Sequence, residues 1–123
     1  MTSTAWGRRV LIIDDNVNLA ENIAEMLEIE GFATQVAASA EEGAEMAREE
    51  EPDVVVTDYH LPGLNGADFV RAFRVGHLNV RAIVISADTD DATMQKAAEA
   101  GATFIAKPFD LGLLGRCVRG GLT

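Results

Sequence analysis

Asp14, Asp15, Asp58, Ser86 and Lys107 each stand where a short apolar run gives way to a turn, in "VLIIDDN", "VVVTDYHLPG", "RAIVIS" and "FIAKPF". Alone, each has a plain explanation: Asp-Asp-Asn is a helix-start signal, a serine caps turns, and a lysine before proline is a solvated strand end. Together they are three carboxylates, a hydroxyl and an ammonium. Three ionised carboxylates about 5 Å apart would repel by roughly 3 kcal/mol per pair at an effective dielectric near 20, so such a site calls for a cation, and Lys107 supplies only part of it. An all-oxygen donor set with water access suits Mg²⁺ better than zinc, and neither His60 nor His77 has a partner at zinc-ligand spacing. A hydroxyl and an ammonium beside a bound Mg²⁺ form a pocket for a many-oxygened anion, which is the chemistry of a phosphoryl site.

The elements that must carry these residues alternate. "RVLIID", Arg9 to Asp14, reads as a buried strand, and Leu19, Ile23, Met26 and Leu27 follow at helical spacing, with Asn16 placed to cap the start and Gly31 to end it. "FATQVAA", Phe32 to Ala38, reads as a second strand, and "SAEE" from Ser39 opens a helix with a capping-box pattern that ends before Pro52. "DVVVTD", "RAIVIS" and "ATFIAK" are the remaining strands, and "NGADFVRAFR", "DDATMQKAAEAG" and "DLGLLGRCVR" the remaining helices. The last is expected to be short or frayed, because Gly112 and Gly115 in its interior each cost about 1 kcal/mol relative to alanine.

Five strands apolar on both faces, alternating with helices, predict an α/β fold with a mostly parallel sheet covered on both sides. In such open sheets functional groups gather beyond the carboxyl ends of the strands, near the topological switch point. Four of the five strand ends carry the residues singled out above; the second ends only in alanines.

The composition bounds the function. A chain of 123 residues fits one domain, with 1–7 a polar N-terminal tail that holds Trp6, and 120–123 a C-terminal tail. Ten basic against twenty acidic residues give a formal net charge of -10, which argues against attraction to nucleic acid or to an anionic membrane. The single cysteine, Cys117, cannot form an intrachain disulfide, and no apolar run has the length of a membrane span or secretory signal, so the expected setting is reducing and cytoplasmic.

"LIIDDN", "VVVTDYHLPGLNG", "VISA" and "FIAKPF", in this order and spacing, resemble the receiver domain of two-component response regulators over nearly the whole chain. The resemblance implies a doubly wound, flavodoxin-like sheet of order 2-1-3-4-5. It implies that Asp58 accepts a phosphoryl group from a sensor histidine kinase or a histidine phosphotransfer protein. Asp14, Asp15, Asp58 and the backbone carbonyl of His60 would hold Mg²⁺, with Asp14 acting through water. Ser86 and Lys107 would bind the phosphoryl oxygens, and the Lys107–Pro108 bond would be cis. Ser86 and Phe104 would form the switch, while His60 and Asp88 would tune the phosphoryl lifetime.

So read, the chain is a signalling switch and not an enzyme, catalysing only its own phosphorylation and dephosphorylation. It would pass its signal to a downstream protein and take no small-molecule substrate beyond phosphodonors. A Mg²⁺-dependent phosphatase with an aspartate nucleophile would want two aspartates separated by one residue after the first strand, whereas here the pair is adjacent. A flavin-binding module would need a Ser-, Thr- and Gly-rich loop there, and "DDNVNLAE" would repel the phosphate. A degenerate receiver serving only as a protein-binding platform is disfavoured because all five polar positions are filled.

Overall fold

The computed structural model describes residues 8–120; the expected tails, Trp6 included, lie outside the described residues except for Gly120. Five strands alternate with five helices: β1 (Arg9–Ile13), α1 (Val17–Ile29), β2 (Ala33–Ala37), α2 (Ala40–Glu49), β3 (Val54–Asp58), α3 (Gly66–Val75), β4 (Arg81–Ser86), α4 (Asp91–Glu99), β5 (Thr103–Ala106) and α5 (Leu111–Arg119). All pairings are parallel, in the order β2-β1-β3-β4-β5. The chain leaves β1 for β2 on one side and later crosses to β3 on the other, so the β1/β3 boundary is the switch point of the expected sheet.

The two-residue period of a strand divides the core. Val10, Ile12, Val54, Val56, Ile83, Ile85 and Ile105 face α1 and α5, where Ile23, Leu27, Leu114 and Val118 meet them. Leu11, Ile13, Val55, Ala82 and Val84 face the other way, toward α2, α3 and α4 with Ala47, Phe69, Val70 and Ala97. The central strands are buried on both faces, as expected, but edge strands β2 and β5 are only half covered. An edge strand has one neighbour and less helix above it, so their polar and small residues meet solvent.

Side chains start the helices, at Asn16 and Ser39 as expected and at Asn65 and Asp90 besides. Asn16 accepts from Leu19 N–H, Ser39 from Glu42 N–H, Asn65 from Asp68 N–H and Asp90 from Thr93 N–H. The capping box at Ser39 is modified: the Glu42 carboxylate accepts from Ala38 N–H, one residue earlier than the usual reciprocal bond.

The last helix corrects an expectation. It is short, at nine residues, but not frayed: Asp110 caps its start, Gly120 ends it in the left-handed conformation (φ 79°), and Leu114, Gly115, Cys117 and Val118 are buried. Its end is pinned by neighbours, with the Arg81 guanidinium donating to the Cys117 and Val118 carbonyls and Arg119 paired with Glu30, the residue that follows α1. Gly115 serves this docking, since a Cβ there would stand 3.2 Å from the Glu30 carboxylate. Tertiary packing outweighs the propensity deficit of two glycines.

Candidate functional site

β1 and β3 are adjacent, with Ile13 opposite Thr57, so the residues that follow each strand emerge side by side at the carboxyl edge. Asp14 is buried just past β1 and Asp58 is the buried last residue of β3, while Asp15 is exposed at the rim. One carboxylate oxygen from each lies within 4.8 Å of the others. β5 brings Lys107 to the same edge by another route: its backbone N–H bonds the Ser86 carbonyl at 2.9 Å, and its Nζ stands 3.1 Å from Asp58 Oδ1. The Lys107–Pro108 peptide bond is cis, as expected.

Ser86 ends β4 fully buried. Its Oγ accepts from Asp88 N–H at 2.9 Å, so the hydroxyl organises the loop after β4 and keeps its own proton for another acceptor. Phe104 pairs with Val84 in register and is half-buried against the α2–α4 side of the core. By the two-residue period Ser86 shares the Val84 face, which makes Phe104 and Ser86 diagonal neighbours on adjacent strands.

The lifetime-tuning candidates meet. His60, in the loop after β3, and Asp88, in the loop after β4, are joined by a 2.6 Å contact between His60 Nε2 and Asp88 Oδ2. Nothing in the spacing of 28 residues shows this pairing; the parallel register of β3 and β4 creates it by ending both strands at the same height. One feature has no signal in the sequence: α3 starts directly against β3, with Gly66 buried beneath the Asp58–Tyr59 peptide.

The electrostatics follow from burial. Taking Asp14 out of water pushes its carboxyl up from the ordinary value of 3.8; the Asn16 N–H bond opposes this, the Asp58 charge adds to it, Lys107 opposes it, and Asp15 adds a little. A carboxyl raised in the native state disfavours folding at pH above its native value, and the penalty is relieved as pH falls through that value toward 3.8. We therefore expect Asp14→Asn, which keeps the acceptor oxygen for Asn16 N–H, to melt higher than the unsubstituted protein in EDTA at neutral pH. The gain should shrink on acidification, and added Mg²⁺ should stabilise the unsubstituted protein more than the variant. Thermal melts across pH 5 to 8 check this; a variant that melts lower in EDTA contradicts it.

The carboxylates fit a divalent metal. One oxygen from each of the three lies within 4.8 Å of the others, close enough that a small inward movement would let them hold a divalent ion, with water as the remaining donors. Among the described residues no helix is long and apolar enough to cross a membrane.

Known proteins agree with this geometry. The response regulator receiver domain profile matches residues 10–119. The chain is 37% identical over 103 residues to the DNA-binding response regulator MtrA of Mycolicibacterium paratuberculosis, covering 83% of this chain but 45% of that protein, so it spans under half the length of such relatives. Against sporulation initiation phosphotransferase F of Bacillus subtilis it is 32% identical over 104 residues, with 84% of each covered. A solved response regulator from Burkholderia pseudomallei, described with a phosphorylated aspartic acid, calcium ion and citrate, superimposes with a TM-score of 0.83 at 26% identity, over 90% of this chain and 66% of that one. With the profile matched over residues 10–119 and the sheet in the order β2-β1-β3-β4-β5, this chain belongs to the response regulator receiver domain family.

Proposed function

We propose that this chain, as a single receiver domain, takes a phosphoryl group onto Asp58 in a Mg²⁺-dependent step and thereby switches its affinity for a downstream protein. The observation that carries this reading is the Asp58 carboxylate, held 3.1 Å from Lys107 inside a three-carboxylate cluster at the switch-point edge of a receiver-family sheet. The donor is a phosphohistidine on a sensor kinase or phosphotransfer protein. An Asp58 oxygen attacks phosphorus, the P–N bond breaks, and the imidazole nitrogen leaves with the electron pair and picks up a proton. The product is an acyl phosphate on Asp58.

Asp14, Asp15, Asp58 and the His60 carbonyl would hold Mg²⁺, which when bound supplies positive charge for the transferring oxygens. Lys107 pairs with the carboxylate at rest and with the phosphoryl oxygens afterwards. Ser86 donates its free hydroxyl proton to a phosphoryl oxygen, which draws the loop after β4 inward. Phe104, diagonal to Ser86 and only half-buried, has room to turn into the space vacated. His60 and Asp88, clasped across the mouth, limit the approach of water and so set the acyl phosphate lifetime. An apolar groove beside Lys107, formed by Leu19, Pro108 and Leu111, suits a helical phosphodonor protein. The strongly acidic balance argues against direct nucleic-acid binding by this domain, and the lone buried Cys117 suits a cytoplasmic setting.

The test is incubation with acetyl phosphate, with and without Mg²⁺, followed by intact mass and borohydride reduction, which converts an aspartyl phosphate to homoserine. We expect one Mg²⁺-dependent phosphoryl group and homoserine at position 58. After donor removal, Asp88→Ala should lose the group several-fold faster, roughly the contribution of one positioned polar group. No Mg²⁺-dependent gain, or homoserine elsewhere, sinks the assignment; an unchanged decay rate in Asp88→Ala removes the clasp from it.

A further inference from the structure

Helix α3 begins at Gly66 with its backbone pressed against the strand that carries Asp58. The Gly66 N–H donates to the Tyr59 carbonyl at 2.6 Å. A Cβ built on Gly66 would overlap the Asp58 carbonyl oxygen and stand 3.1 Å from both the Asp58 carbonyl carbon and Thr57 Cγ2. The first two of these are main-chain atoms of β3, which cannot rotate aside as a flexible side-chain end can. At Gly43 the corresponding obstacle is the tip of Ile13, and at Gly76, at the other end of α3, there is nothing within 4 Å. The φ of Gly66 lies outside the left-handed region, so the need for glycine there is one of space and not of backbone conformation.

Close contact of this kind fixes position. The Asp58–Tyr59 peptide is gripped by the Tyr59 N–H bond to the Ile85 carbonyl at 2.7 Å on one side and by Gly66 on the other. Thr57 Oγ1, which donates to the Asp58 carbonyl at 3.0 Å, completes the grip. The Asp58 carboxylate and the His60 carbonyl flank this peptide, so any displacement of it moves both relative to Asp14 and Asp15 on β1. Asn65 sets how α3 arrives, accepting from Asp68 N–H at 2.8 Å and donating to the Asp68 carboxylate at 3.0 Å.

We propose that Gly66 is a positioning residue for the metal and phosphoryl site: by letting α3 sit on the Asp58–Tyr59 peptide without a side chain between them, it sets the distance from the acceptor to the β1 carboxylates. The proposal rests on the reading of Asp58 as the acceptor. A side chain at position 66 pushes the acceptor peptide away from α3, and misplacement by a fraction of an ångström to an ångström is costly for chemistry that depends on alignment.

The test compares Gly66→Ala with Gly76→Ala, the same change at the residue that caps the other end of α3, where space is open. Folding is checked by circular dichroism, Mg²⁺ affinity of the unphosphorylated protein by calorimetry, and acetyl phosphate-driven phosphorylation by intact mass. We expect Gly66→Ala to fold, to bind Mg²⁺ about tenfold more weakly and to phosphorylate roughly ten- to a hundredfold more slowly, while Gly76→Ala matches the unsubstituted protein. A folded Gly66→Ala with unchanged Mg²⁺ affinity and rate overturns the proposal. If Gly66→Ala does not fold, Asn65→Ala, which loosens the start of α3 and keeps the glycine, should show a smaller loss of the same two quantities, and no loss there overturns it equally. If the unsubstituted protein binds Mg²⁺ but takes no phosphoryl group, the acceptor reading fails, and the calorimetric comparison still decides whether Gly66 positions the metal site.

Discussion

Asp58→Asn is expected to leave the protein folded and to abolish its phosphorylation, with the rate from acetyl phosphate falling below about one-thousandth. Asparagine keeps the shape and one carbonyl oxygen, so the buried end of β3 remains filled. What it removes is the anionic oxygen proposed to attack phosphorus, together with the charge that holds Lys107 Nζ at 3.1 Å. Stability should change little, because losing the Lys107 pair is offset by relief of repulsion from Asp14 and Asp15, whose oxygens lie within 4.8 Å. That proximity makes the result discriminating. Were Asp14 or Asp15 the acceptor, Asp58→Asn would still gain a Mg²⁺-dependent phosphoryl group, and intact mass would reveal it.

Leu114→Ala is expected to lower stability by about 2 to 5 kcal/mol, a large share of the roughly 5 to 15 kcal/mol that a domain of this size possesses. Leu114 is fully buried on α5, in the cluster that contains Ile12, Ile23, Leu27 and Ile105. Removing its branched end leaves a cavity between sheet and helix, and α5 is held from collapsing into it by the pairing of Arg119 with Glu30 and the Arg81 bonds to the helix end. Leu111, more than a third exposed at the start of the same helix, should cost far less when truncated. Urea midpoints of the two variants make the comparison. A loss below about 1 kcal/mol at Leu114 would mean that α5 is not docked in solution.

Much of this was legible in the residues themselves. The apolar runs at 10–13, 54–56 and 82–85 are strands because β-branched side chains fill a sheet buried on both faces, and the period of two sends Val10 and Ile12 to α1 and Leu11 and Ile13 to α2. Asn16, Ser39, Asn65, Asp90 and Asp110 cap helices because a short polar side chain reaches the N–H groups left free at a helix start. The weak spot was α5, where summed propensity missed the Glu30, Arg81 and Arg119 contacts, each made with residues far away in the chain. The partial exposure of β2 and β5 follows from the strand order, which the family resemblance implied and strand composition alone does not show.

The sequence by itself determined which side chains stand at strand ends, because an apolar run followed by a polar residue and a turn is a local pattern that any fold must respect. It also determined the kind of chemistry, since carboxylates, a hydroxyl and an ammonium keep the same donor and acceptor types wherever the fold puts them. Only the tertiary structure decided that Asp14 is driven upward by burial while its neighbour Asp15 stays in water, that His60 closes onto Asp88, and that Gly66 must be bare. Each of these depends on the register between parallel strands and on how closely a helix approaches them. Those are distances between residues remote in the chain, set by packing and written in no local pattern.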